Sequence, residues 1–216
     1  MRKITKAVPP PELTRWRRHN QGARYQDLPE RERRAVRTAC LEEQKGLCAF
    51  CCCSITVDSG HNAHIRSQAR YPRQSLSWAN LVASCMAVEH CGGSQGQNDI
   101  PLTPLMPECE TELRFYASGK VRALTPKAQV TLDVLNLDSP VLRHKRKNAL
   151  DALLYSLEFH PVEDIPLWDA ELIQVFIAEC GRETDGVLLP YAPVLANIVG
   201  QLLGTPARFP HAPTSS

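Results

Sequence analysis

Apolar positions along this 216-residue chain come in short clusters separated by prolines and glycines. From Leu28-Pro29 to Gln44 the chain is rich in helix formers, with Pro29 suited to a first turn and Gly46 to the stop. Val36, Ala39, Cys40 and Leu41 supply the buried stripe of that helix. Leu47-Cys48-Ala49-Phe50-Cys51 then reads as a knuckle-like turn. Ser54-Ile55-Thr56-Val57 predicts a short strand by β-branched content, turned back at Asp58-Ser59-Gly60 onto a partner strand over Asn62 to Ile65. Residues 66–79 are polar and contain Pro72, which predicts a loop, and Leu81 to about His90 predicts a helix entered from Asn80 and ended by Gly92-Gly93.

Beyond a proline-rich connection, Glu112–Tyr116 and Lys120–Arg122 flank Ala117-Ser118-Gly119 as a second hairpin. The region from about 127 to 203 is mainly helical, with apolar spacing through 148–157 and 169–179. Residues 1–12 read as an extended arm ending in prolines, and 205–216, with three prolines, as a mobile tail. The expected class is α+β, mainly α. Its parts are a basic arm and helix over 1–45, a small core over 46–100, a hairpin and helical region over 101–204, and the tail.

The 43% apolar and 22% charged fractions are those of an ordinary globular protein. No apolar run reaches the length of a membrane span, and the basic N-terminus leads into prolines instead of an apolar segment. A cytoplasmic protein is expected. The net charge of +2 conceals an asymmetry, since residues 1–40 hold 11 Lys/Arg against 4 Asp/Glu. Such an arm can favour phosphate contacts or simply form a solvated face. Arg143-His144-Lys145-Arg146-Lys147 is a second basic run, on a predicted helix, with the same two readings open.

Nine cysteines are many for a reducing compartment, and six of them fall between positions 48 and 91. Cys48 and Cys51 form a C-x2-C pair and Cys85 and Cys91 a looser C-x5-C pair, so four thiolates can close a structural Zn²⁺ site. Cys53 is the substitute if the register of the first pair differs. Four sulfurs leave no open position for water, so this ion is structural. Cys40, Cys109 and Cys180 stand alone and read as small buried hydrophobes. Between the two thiol pairs lie His64, on the second strand, and Asn80. An imidazole near its ordinary pKa suits a general base on water, and a divalent ion would offset charge on a scissile phosphate.

In combination, Met1-Arg2-Lys3-Ile4, Glu43–Cys51, Ala63-His64-Ile65, Trp78–Cys85, His90-Cys91-Gly92, Ile100–Leu105 and Leu135-Asn136-Leu137 resemble the HNH endonucleases. The similarity covers roughly residues 1–155 and is closest to the PtuB-type nuclease subunits of Septu and retron-associated anti-phage systems. The resemblance implies a zinc-stabilised ββα-metal core, with His64 as the general base and Asn80 as the residue shaping the loop that orients it. It also implies a Mg²⁺-class catalytic ion, for which His90 is the nearest imidazole and Asn98 a distant fallback. A PtuA-like ATPase of the ABC/SMC type would be the partner, and DNA the substrate, with RNA left open.

Arg66, Arg70 and Arg73 flank the base and read either as a phosphate clamp or as a solvated loop. The chain departs from the family pattern at Ala63, where many members carry a metal ligand, at Ser67, and at Gly92. His61, Asn62 or substrate phosphate would then have to supply the ligand. Strand parity sets Asn62 on the face of His64 and His61 on the other. The alternative function is a zinc-stabilised adaptor that binds nucleic acid or an ATPase without cutting.

Overall fold

The computed structural model describes residues 1–158, 162–204 and 209–210, and the side chains of 162–164 lie outside the description. Of the predicted tail only Phe209 and Pro210 are described, and Phe209 is buried. Pro11–His19 forms helix α1, which the extended-arm reading did not anticipate. Pro11 and Glu12 suit its first turn and Arg17, Arg18 and His19 its last. Glu30–Gln44 forms α2 as expected, with Lys45 and Gly46 both left-handed at its end (φ 55° and 72°). It buries Val36, Cys40 and Leu41.

The core departs from the expected pattern in two places. Residues 54–57 do not form a strand. Ser54 makes one bridge to Leu47, and the Thr56 and Ser59 side chains bond to local backbone N–H groups. Those bonds close a turn that competes with a ladder. The hairpin is instead β1, Gly60–His64, paired antiparallel with β2, Leu81–Cys85, so that Ala63 faces Val82 and His64 faces Leu81. Leu81–Cys85 is therefore a strand and not the predicted helix. All five of its residues are buried, and a strand covered on both faces shows no alternation to separate it from a buried helix.

The helix comes later, as the four-residue α3, Gly92–Gln95, which begins at the glycines expected to end one. A Cβ at Gly93 would lie 2.2 Å from the Ala87 carbonyl oxygen, so this close approach requires glycine. The observed order is strand, strand, short helix.

The outer edge of β2 is stitched to α2 and the N-terminal arm. Gln44, buried, donates to the Leu47 and Ala83 carbonyls and accepts from the Ala83 N–H at 2.7, 2.9 and 2.8 Å. Lys6 donates to the Leu81 carbonyl, pairs with Glu43 at 2.6 Å and lies 3.4 Å from the Trp78 ring centroid. Part of the basic arm thus serves packing.

The remainder is helical, with β3 (Leu113–Phe115) and β4 (Val121–Ala123) paired as a hairpin. α4 (Pro126–Val134), α5 (Pro140–Ser156) and α6 (Ala170–Cys180) are capped by the side chains of Thr125, Ser139 and Asp169. A two-residue pair, β5 (Glu183–Thr184) and β6 (Val187–Leu188), leads into α7, Ala192–Gly200. Arg146, in the second basic run, is 1% exposed. Its Nη1 donates to the Gly119 carbonyl and its guanidinium lies over Phe115, so this residue belongs to the core. No described helix is long and apolar enough to cross a membrane.

Candidate active site beside a four-cysteine metal centre

The Sγ atoms of Cys48, Cys51, Cys85 and Cys91 all lie within 4.8 Å of one another, and all four residues are buried. Sulfurs at the corners of a Zn–S tetrahedron stand roughly 3.8 Å apart, so the set fits one tetrahedral ion. The local backbone is built for it. Cys52 takes φ 66° to complete the turn after Cys51, and Cys91 takes φ 58° at the head of α3. Such angles are strained in a non-glycine residue and are held here by the surroundings: the Cys52 N–H donates to the Cys48 carbonyl and the Cys91 N–H to the Leu135 carbonyl. The Cys85 N–H donates to Cys48 Sγ at 3.4 Å. Cys53, the alternative to Cys51, also lies within hydrogen-bonding reach of Cys48, Cys51 and Cys85, whereas the three isolated thiols behave differently. Cys40, Cys109 and Cys180 are fully buried away from this group, and burial pushes the thiols of Cys40 and Cys109 up to about 12.

Beside β1 a cleft of about 340 Å³ is lined by His61, Ala63, His64, Ser67, Gly92 and Gln97, among others. His64, at the end of β1, is 8% exposed. Its Nε2 lies 2.9 Å from the Ser75 carbonyl, and because a carbonyl only accepts, Nε2 carries the proton in the neutral ring. Nδ1 then keeps its lone pair. Burial lowers the pKa of His64, His61 lowers it further, and the Ser75 bond opposes both.

Tyr25 packs edge-on against His64 with ring centroids 4.7 Å apart, and is itself held by the Asn62 side-chain amide at 2.8 Å. Asn80 laces the intervening loop. Its Oδ1 accepts from the Arg66 N–H at 2.7 Å, and its Nδ2 donates to the Arg66 and Gln74 carbonyls, both at 3.1 Å. His61 lies over Gly92, where an added Cβ would be 2.8 Å from His61 Nε2. Among the described residues no carboxylate lines the cleft.

No protein-family profile matches the chain. Two curated bacterial proteins do. One is the "Retron Vc95 putative HNH endonuclease" of Vibrio cholerae serotype O1 biovar El Tor, 26% identical over 129 residues, 53% of this chain and 63% of that protein. The other is Septu protein PtuB of Bacillus thuringiensis, 27% identical over 129 residues, 56% of this chain and 44% of that protein. The chain resembles the HNH nucleases of retron and Septu systems. In each case the match spans less than two thirds of the relative's own length.

Of the residues the HNH resemblance singles out, the structure brings His64 and Asn80 to the two ends of one laced loop and the four cysteines to one cluster. His90 stands elsewhere. It is buried, with Nδ1 3.2 Å from Cys91 Sγ and 3.8 Å from Cys85 Sγ, so its ring serves the sulfur cluster and does not line the cleft. Asn98 bonds to the Gln95 carbonyl and also stays outside. Arg66 is exposed 5.4 Å from the Tyr71 ring centroid, Arg70 pairs with Asp99 at 3.1 Å, and Arg73 lines a separate groove. Sequence reasoning missed Tyr25, a single aromatic in a polar stretch with no periodic signal. The His61–Gly92 contact had a weak signal, since Gly92 is a departure from the family pattern and His61 one of the residues left to supply the missing ligand.

Proposed function

We propose that the chain is an HNH-type nuclease that hydrolyses phosphodiester bonds of DNA with a divalent ion, as the effector of an anti-phage defence complex containing an ATPase. The observation that carries this reading is the fixed His64 tautomer. With Nε2–H held by the Ser75 carbonyl, Nδ1 is the free nitrogen of a neutral imidazole beside an open cleft. His64 accepts a proton from water there, and the hydroxide attacks phosphorus as the opposite P–O bond breaks, the sugar oxygen leaving and taking a proton from solvent. Asn80 holds the loop between Arg66 and Gln74 in shape, which sets the carbonyl that orients the base. Cys48, Cys51, Cys85 and Cys91 hold a zinc that ties the knuckle to β2 and α3. A Mg²⁺-class ion would be held by His61 together with substrate phosphate, and would stabilise charge on the phosphate and leaving oxygen.

The test is plasmid nicking by the chain, alone and assembled with its ATPase, with Mg²⁺ or Mn²⁺ added or withheld. His64→Ala should cut about 10²–10⁴-fold more slowly while keeping its zinc content. Equal cutting by that variant removes the mechanism. The cleft without carboxylates favours a second reading, a zinc-stabilised adaptor, which tight binding with no metal-dependent cutting in the assembled complex would select.

A further inference from the structure

A second open groove, of about 600 Å³, runs between the end of α1 and the turn at residues 72–77. Its polar lining comprises Arg17, Asn20, Gln21, Arg24, Arg73 and Ser77. It contains no acidic residue, and none of its three guanidinium groups forms an ion pair among the described residues. Four other basic residues of the N-terminal region and the loop are neutralised by carboxylates. Lys6 pairs with Glu43, Arg34 with Asp58, Arg37 with Glu30 and Arg70 with Asp99. Three unpaired guanidinium groups facing one groove leave a concentrated positive field.

We propose that this groove binds the phosphodiester backbone of a nucleic acid and leads it to His64. The proposal rests on the nuclease reading and adds to it the path of the substrate. Its walls are the two segments that position the base. Arg24 directly precedes Tyr25, whose ring packs on His64. Arg73 lies two residues before Ser75, whose carbonyl holds His64 and whose hydroxyl accepts from the Tyr25 N–H at 3.2 Å. A strand lying on these walls is therefore registered against the base by two short covalent links.

The kind of contact also follows from the lining. No aromatic ring faces the groove, so it offers no stacking platform for bases. Guanidinium, amide and hydroxyl donors match phosphate oxygens, which position a duplex without reading its sequence.

The experiment measures binding of a short fluorescein-labelled DNA duplex by anisotropy across a salt series, in a His64→Ala background that prevents cutting. Removing one cation that neutralises a phosphate should flatten the slope of log K against log salt by about 0.9. Arg17→Ala/Arg24→Ala/Arg73→Ala should therefore reduce the slope by about 2 to 3 and weaken low-salt binding at least about tenfold. Arg114→Ala/Lys120→Ala/Arg122→Ala removes three exposed cations from the β3–β4 hairpin and should keep the parent slope.

An unchanged slope in the groove variant, or a parent chain that binds no duplex, overturns the assignment. Capture of polyglutamate in preference to duplex also overturns it, in favour of an acidic protein surface. Cutting is read separately with His64 restored. Groove-dependent binding without any cutting supports the groove and refutes the nuclease reading. Cutting by the groove variant at the parent rate and salt dependence refutes the groove alone.

Discussion

His64 has one ring nitrogen committed to Ser75 and one uncommitted, so as the proposed base it would set the pH range of cleavage by its protonation state. Burial lowers its pKa from the ordinary 6.5. The neutral, base-competent form therefore persists below pH 6.5, and the acid limb of the cleavage profile should fall at lower pH than for a solvated imidazole. The sign for stability is the same. The unfolded chain takes up this proton near 6.5, before the folded one does, so the contribution is complete above that pH and is lost as pH falls through the lowered folded value. Urea unfolding on either side of that window should show stability decreasing towards acid, and His64→Gln should flatten the dependence. A cleavage profile with its acid limb above 6.5 would contradict the assignment of His64 as the base.

Between elements, the β3–β4 turn is pressed onto α5. Gly119 has φ 80°, and an added Cβ would lie 2.0 Å from the Arg143 carbonyl oxygen. Gly119→Ala should therefore lower unfolding stability by about 2 kcal/mol or more, measured by denaturant titration, through both the left-handed backbone and the clash. This hairpin and helix α2 were legible from turn residues and apolar spacing, which are local signals. β2 was not, because a five-residue strand buried on both faces has neither the alternation of a half-exposed strand nor the length that separates helix from strand. The cysteine cluster was legible because it follows from the spacing of the thiol pairs and not from the secondary structure assigned between them. His90, named because it is the nearest imidazole, has its ring beside the sulfurs of Cys91 and Cys85. Proximity in sequence to Cys91 drew its ring to the sulfurs and away from the cleft.

Across the whole molecule, the cysteine knuckle is tied to the segment that leads into α7. The Leu188 N–H donates to the Lys45 carbonyl and the Tyr191 N–H to the Cys52 carbonyl. A metal held by the four cysteines would couple these segments, and stripping it should loosen more than residues 46–100. Chelation should lower the melting temperature by more than about 10 °C, because metal-binding free energy is folding free energy here. Hydrogen exchange should show protection falling together at the knuckle, β2 and residues 188–191. A fall confined to the knuckle would show that it opens independently of residues 188–191. The laced border of β2 has a separate consequence for assembly. Gln44 takes up the Ala83 N–H and carbonyl, Lys6 the Leu81 carbonyl and Cys48 the Cys85 N–H. That rim has no vacant rung, so another subunit cannot extend this sheet by β-augmentation along β2 and has to dock through side chains elsewhere.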